Sequence, residues 1–473
     1  MKRFLICSAY LIVISVTPAF ATAYNILDYG AIPNDGSDDT TALYLALNAA
    51  NLSYGNSVYI PPGVWNIRYD ESKSLRLKKN TILYGSGTES KISFDYGIIS
   101  GTAYNRQLEG NFIGIEDGNG NEIHDLVFIG QGSSTQIVGS NDITVNGVMI
   151  VVWNSINTRI YNMSFLKHEG LSVLVTGNSS EFNIFDNFGW LCNFEIVQAR
   201  GGARNGQIYR NVIRNAGDDA ISVVWYKDDS TQPYDIEIYS NELYDCDGGI
   251  NISHSKNIIV RNNFVSNSKL SGIKVTYWDR GIGDRLSPNF IPSDPSDNIS
   301  IFYNQIVNCG SGGNEVESWE GSSLNAIYLY GIRNSDIHHN YIWRDVPINS
   351  NNNLQSVVIR MMDFHNVKIR NNPMHCNGFI GIGIAIYNWI TTTPVNNSNV
   401  HDFYGLEISG NWIANPYDAG FSLNPPTGNT LQGVTIVNNG IIDCQGIVAG
   451  WMDNHINSTI FNNTINNGLP IIY

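Results

Sequence analysis

The phrases NIFDNFG (183–189), QIYRNVI (207–213), EIYSNEL (237–243) and IIVRNNF (258–264) follow one another at short intervals and share one pattern. Each holds an apolar residue, two variable positions and an asparagine. The pattern recurs as SIFYNQI (300–306), DIHHNYI (336–342), KIRNNPM (368–374), EISGNWI (407–413), TIVNNGI (435–441) and TIFNNTI (459–465). Aligning Ile-x-x-Asn puts anchors at Asn187, Asn211, Asn241, Asn262, Asn304, Asn340, Asn372, Asn411, Asn439 and Asn463, with steps of 24, 30, 21, 42, 36, 32, 39, 28 and 24 residues. A shortest step near 21 to 24 with occasional longer ones is what a coil of short strands produces when one turn accepts insertions. Leucine-rich repeats have a similar period, but their Leu-x-x-Leu-x-Leu phrase is missing. The apolar residues are instead Ile, Val, Phe and Tyr in alternation. The expected fold is all-β, a right-handed parallel β-helix of about ten or more coils, in which each asparagine stacks on the next and hydrogen-bonds along the axis.

The cysteines probe this register. Cys192, Cys246, Cys309 and Cys444 each lie five residues after an anchor and Cys376 lies four after, on every second coil. Ladder strands are about 4.8 Å apart, so cysteines two coils apart are roughly 9.5 Å from each other, beyond the reach of about 7 Å for a bridge. Five buried free thiols and no disulfide are expected.

The N-terminal part reads differently. YNILDYGAIPNDGSDDTTALYLALNAA holds a strand, a polar loop, and a helix started by Asp38, Asp39 and Thr40 with apolar positions at Leu43, Leu45, Ala46 and Ala49. SVYIPPGVWNI then reads as strand, Pro-Pro-Gly turn and strand. DYGAIPNDGSDDTTAL and VYIPPGVW, with ILYGSGTESKI from Ile82 matching more loosely, resemble the N-terminal cap of the pectate lyase superfamily of right-handed β-helices, which includes polygalacturonases, mannuronan epimerases and phage tailspikes. Such a helix closes the open end of the coil, which would otherwise expose strand edges and core. The expected organisation is a signal segment over 1–23, cap and first coils over 24–95, and β-helix over 96–473.

Lys2 and Arg3, the apolar run from Phe4 to Val16, and Ala19-Phe20-Ala21 or Ala21-Thr22-Ala23 have the form of a cleaved secretory signal. The run is shorter than the roughly 20 residues of a membrane span. Removing the segment takes two cations and no acidic residue, moving the formal charge from -15 to about -17. Such a charge disfavours nucleic acid and anionic membrane surfaces as partners. A secreted or periplasmic protein is expected, as a monomer or homotrimer.

RNAGDDAISV (214–223) places Asp218 and Asp219 at the turn leading into a strand, with Ile221 and Val223 inward and Ser222 and Val224 outward. The 24-residue step sets Glu195 against Asp219. Carboxylates this close disfavour joint ionisation, which raises one proton affinity and yields an acid beside a base. Glycoside hydrolysis needs that pairing, at about 6.5 to 9.5 Å between carboxyls for inversion and about 5 to 5.5 Å for retention. The bland alternative is a turn that these side chains merely cap. The arrangement resembles the polygalacturonase family of inverting hydrolases, with Asn193-Phe194-Glu195 one coil before Asp218-Asp219. The resemblance implies Asp218 as general acid and Glu195 with Asp219 activating water. Glu195 stands where that family has Asp. Its Gly-His-Gly falls on Asp247-Gly248-Gly249, without the histidine, and its Arg-x-Lys on Lys274-Val275-Thr276, with one cation of two. Galacturonate is therefore not implied as the substrate.

Trp225 and Tyr226 follow the DDAISV strand, Tyr277 and Trp278 follow SGIKV, and Tyr328 and Tyr330 come later. Flat amphipathic rings beside carboxylates suit a glycan groove, as they also suit core packing. The insertion from Asp279 to Asp297 could wall that groove. His254, His339, His365 and His375 show no metal-ligand spacing, and CxxC, HExxH and phosphate loops are missing. The Asp-Pro-His phrase of mannuronan epimerases is also missing. The expected function is a polysaccharide-degrading glycoside hydrolase needing no cofactor. The catalytic candidates are Asp218, Asp219 and Glu195; the substrate contacts are Asn193, Lys274, Trp225, Tyr226, Tyr277, Trp278 and Asp247. The alternatives are a uronate lyase holding calcium on Glu195, Asp218, Asp219 or Asp247 with Lys274 as base, and a β-helix that binds glycan or serves a surface-structural role without cleavage.

Overall fold

In the computed structural model the described residues are 21–68, 70, 73–78, 80–95, 111–130, 148–226, 229, 231–276, 295–310, 325–345, 356–376, 381–387, 403–416, 419–424, 431–442, 448–449, 455–456 and 459–465. Residues 1–20 of the expected signal segment and Cys444 lie outside them. Every described strand pairing is parallel, in one sheet system of 28 strands and a second of 14. A turn of the chain supplies three strands, for example Arg204–Tyr209, Val212–Arg214 and Asp219–Val224, each lying against its counterpart in the next turn. This is a right-handed parallel β-helix.

Like stacks on like inside it. Ile184, Ile208, Ile238, Val260, Ile301, Ile337 and Ile369 form one inward column in register, and all are buried. Each such side chain contributes about 1.5 to 3 kcal/mol by leaving water. Three positions after each of these stands a buried asparagine. Asn211 Nδ2 donates to Asn241 Oδ1 at 2.9 Å and to Ile184 O at 3.0 Å, and the Asn211 backbone N–H donates to the same Asn241 Oδ1 at 3.0 Å. The same bonds run from Asn187 to Asn463, so the amides satisfy one another and the corner backbone in a dry interior.

The ladder corrects one anchor. In IIVRNNF the stacked residue is Asn263, not Asn262. Val260 holds the inward column there, while Ile259 is 38% exposed, so the count of three starts one residue later than Ile-x-x-Asn suggests. Asn262 has φ 54°, the left-handed conformation that Asp186, Arg210, Ser240, Tyr303, His339 and Asn371 also adopt just before their ladder asparagines. Two adjacent asparagines thus divide two jobs, a left-handed corner and a ladder rung.

Cys192, Cys246, Cys309 and Cys376 are buried and free, as expected. Burial pushes the Cys246 thiol up to about 12 and the Cys309 thiol up to about 11. The N-terminal helix spans Thr40–Ala50, and Asp38 Oδ1 accepts from the Thr40 backbone N–H at 3.0 Å. Its buried face differs from the expected one: Leu45 is 44% exposed, and Ala42, Leu47 and Ala50 join Leu43 and Ala46 in the main core. Asp39 joins separate segments, accepting from Ile32 N through Oδ1 and from Asn66 N through Oδ2.

Candidate functional site

The strands Val197–Arg200, Asp219–Val224, Gly248–Ser253 and Ile273–Thr276 lie side by side, with Gln198, Ser222, Asn251 and Lys274 in register. Simple alternation would send Asp219 inward with Ile221. The chain instead buries Ala220 and Ile221 consecutively in the core, as it does Ile196 and Val197 one coil earlier. This break turns Asp219 and Glu195 onto the same outer face as Ser222 and Gln198. The Val197↔Ile221 register carries Glu195 against Asp219, as the sequence implies.

Asp219 Oδ1 lies 3.0 Å from Lys274 Nζ, and Asn251 donates a hydrogen bond to the same carboxylate. The side chains of this ion pair are only 3% and 11% exposed. Burial pushes Asp219 up to about 6; Lys274 opposes that rise, and neighbouring Asp218 adds to it. Asp218 is half-buried; its Oδ1 accepts from the Asp219 backbone N–H at 3.0 Å and its carbonyl accepts from Gly248 N at 3.1 Å. Glu195 is buried, with Oε1 accepting from Gln198 Nε2 at 2.9 Å and from Ser222 Oγ at 3.3 Å. Three carboxylates and one lysine therefore share a flank, and burial raises the proton affinity of one of the acids. That combination suits proton transfer to and from a substrate.

The other predicted contacts divide. Asn193 is half-buried directly below Gly217, and Asp247 is held by Lys269 at 2.6 Å. Trp225 and Tyr226 are tied into a packed corner: Trp225 Nε1 donates to Asp229 O at 3.1 Å and lies edge-on to the His254 ring, while Arg200 stands 5.2 Å over Tyr226. Neither ring is a bare platform. Tyr328 is buried beside Lys274 in the ladder. Tyr277, Trp278 and most of the Asp279–Asp297 insertion lie outside the described residues. Among the described residues no three His, Cys, Asp or Glu side chains gather so as to hold a metal. Asp219 and Asp247 each face a lysine instead, so these carboxylates do not fit a shared calcium site.

Sequence reasoning missed Gln198, Asn251, Thr276 and Arg360, the last of these buried and in register with Tyr328. The only signal for them is the coil register itself. It also missed an outer ring stack of Tyr59, Tyr84, His124, Tyr161, Phe185, Tyr209 and Tyr239, with centroids 4.6 to 5.6 Å apart. Those rings cover one another's faces, which leaves little surface for a sugar.

Over 127 residues, 26% of this chain, the sequence is 28% identical to mannuronan C5-epimerase AlgE5 of Azotobacter vinelandii and 25% identical to alginate lyase 7 of the same organism. These matches span only 11% and 12% of those two proteins. In fold, the chain is similar to the catalytic unit of a GH87 alpha-1,3-glucanase from Streptomyces thermodiastaticus, at TM-score 0.58 and 17% identity, covering 96% of this chain and 68% of that one. It is also similar to a tailspike protein of E. coli bacteriophage HK620, at TM-score 0.57 and 10% identity, covering 93% of this chain and 80% of that one. Residues 23–274, more than half the chain and including the whole carboxylate cluster, match one family model, and the protein belongs to that family, described as rhamnogalacturonase A/epimerase, pectate lyase-like.

Proposed function

We propose that the protein is an exported enzyme that cleaves a polysaccharide by hydrolysis, using the carboxylates on the outer face of the Asp219–Val224 strand. The observation that carries this reading is the Asp219–Lys274 pair with Asp218 alongside, in which burial raises the proton affinity of Asp219 to about 6. A carboxyl that keeps its proton near neutral pH can protonate a leaving glycosidic oxygen. The raised proton affinity of Asp219 supports it as the acid. Asp218, half-buried and next in the chain, and Glu195, one coil away, are the carboxylates left to activate water. Lys274 sets the charge balance by limiting how far Asp219 is raised.

A uronate lyase or epimerase is the second reading. It is favoured by Lys274 Nζ at 3.0 Å from Asp219, a proton acceptor and a proton donor side by side, and by the partial similarity to an epimerase and an alginate lyase. Such chemistry removes the C5 proton of a uronate.

The test incubates the protein, its Asp219→Asn and its Asp218→Asn variants with neutral and acidic polysaccharides. New reducing ends, lost at least ~100-fold in Asp219→Asn, support the hydrolase. Unsaturated, ultraviolet-absorbing products indicate a lyase, and inverted C5 centres without cleavage indicate an epimerase. Glycan binding that leaves the chain intact overturns the enzymatic reading.

A further inference from the structure

Asn251 pairs in register with Lys274 on one side and Ser222 on the other, which puts it beside the Asp219–Lys274 pair. An amide has one donor end and one acceptor end, and only the donor end stabilises a carboxylate. Here the carboxylate takes the donor end and a neighbour satisfies the other: Thr276 Oγ1 donates to Asn251 Oδ1 at 3.1 Å while the amide nitrogen donates to Asp219. Thr276 is itself buried and lies two positions after Lys274 in the same strand, so one strand carries both the cation and the hydroxyl that partners the amide.

We propose that Asn251, its amide oxygen held by the Thr276 hydroxyl and its nitrogen on the carboxylate, is a positioning residue for Asp219, acting on the reaction through that carboxylate and not on the sugar. The inference rests on the reading of Asp219 as the acid. The charged groups around Asp219 are Lys274 from the strand two coils on, Asp218 beside it, Glu195 one coil back, and the Asp247–Lys269 pair at the turn of the next coil. Among these the Asn251 amide is a neutral donor whose loss changes no formal charge. Its removal therefore reads out in the Asp219 midpoint without a change in formal charge.

The experiment follows the Asp219 carboxyl directly, by carbon-13 NMR titration of aspartate-labelled full-length protein, next to the pH profile of kcat on whichever polysaccharide is cleaved. Asn251→Leu should raise the Asp219 midpoint by about one unit, the size expected for one hydrogen bond to a charged group. Thr276→Val should raise it by a smaller amount, and Thr276→Ser should restore the wild-type value. The matching limb of the kcat profile should move with the midpoint while KM stays within about two-fold. The proposal is overturned if the midpoint is unmoved in folded Asn251→Leu protein, or if Thr276→Val and Thr276→Ser shift it alike. It is equally overturned if KM alone changes, which would place Asn251 on the substrate. If no polysaccharide is cleaved, the hydrolase reading fails while the titration still tests the Thr276–Asn251–Asp219 chain.

Discussion

Replacing Asn263 and Asn262 separately by alanine tests the ladder where adjacent asparagines compete for it. Asn263 is 1% exposed, and its side chain takes part in four hydrogen bonds: Oδ1 accepts from Asn241 N at 3.0 Å and from Asn241 Nδ2 at 2.9 Å, and Nδ2 donates to Ile238 O at 2.9 Å and to Asn304 Oδ1 at 3.0 Å. After truncation some groups keep a partner: Asn241 Nδ2 still reaches Ile208 O, and Asn304 Oδ1 still accepts from the Asn263 backbone. The Asn241 N–H loses its acceptor in the interior, and Ile238 O loses a donor. At about 1 to 3 kcal/mol for each buried group left short, Asn263→Ala should cost about 3 to 5 kcal/mol. Asn262 is exposed at φ 54°, where alanine costs about 1 kcal/mol and glycine nearly nothing. Urea unfolding followed by circular dichroism gives the two costs, and hydrogen exchange at the Asn241 amide gives the local effect. Equal losses, or a larger loss for Asn262→Ala, would refute both the ladder assignment and the reasoning from Val260.

Cys192, Cys246, Cys309 and Cys376 should resist a thiol reagent in the folded protein at pH 8 and react once it is unfolded, because burial holds the Cys246 and Cys309 thiols at about 12 and 11; rapid native labelling at these four would contradict their burial. Asp219 is pushed up to about 6, above its ordinary value, so the fold favours its protonated form. Its contribution to stability is full below about pH 4, is lost as pH rises to about 6, and is level beyond, a change of a few kcal/mol that should vanish from the stability–pH curve of Asp219→Asn. Lys274→Met, which strands the Asp219 carboxylate in a buried site, should cost about 3 to 5 kcal/mol at pH 8, and adding Asp219→Asn should recover most of it, as a double-mutant cycle would record. Gly206→Ala places a methyl 2.0 Å from Phe182 Cζ, a ring only 1% exposed, and should lower stability by about 1 to 3 kcal/mol in the same unfolding assay.

The β-helix, its asparagine ladder and the isolation of its thiols were legible in the sequence, because a stacked architecture writes its register into the chain as a repeat. Each coil must place an apolar residue inward and an amide at the corner, and the spacing between those two survives insertions elsewhere. The same logic carried Glu195 to Asp219. It failed at IIVRNNF, where valine and isoleucine are both apolar and only their exposure tells which one faces the core. Nor does a helix phrase holding seven Ala and Leu side chains say which of them meet the strands, and Leu45 does not.

What only the tertiary structure decided is the state of the site. Strict alternation would have sent Asp219 inward, and the consecutive burial of Ala220 and Ile221 turned it outward. Lys274, 55 positions further along, becomes its counter-ion two coils on. Asn251 and Thr276 carry no motif at all; they matter because the ladder sets them beside that pair. Coils of unequal length stack at equal spacing, so neighbours across the face share no constant separation in the chain. Fold was therefore written locally and periodically, while the electrostatics of the site, and the proton affinity that burial imposes on one carboxylate, arose only when the coils were stacked.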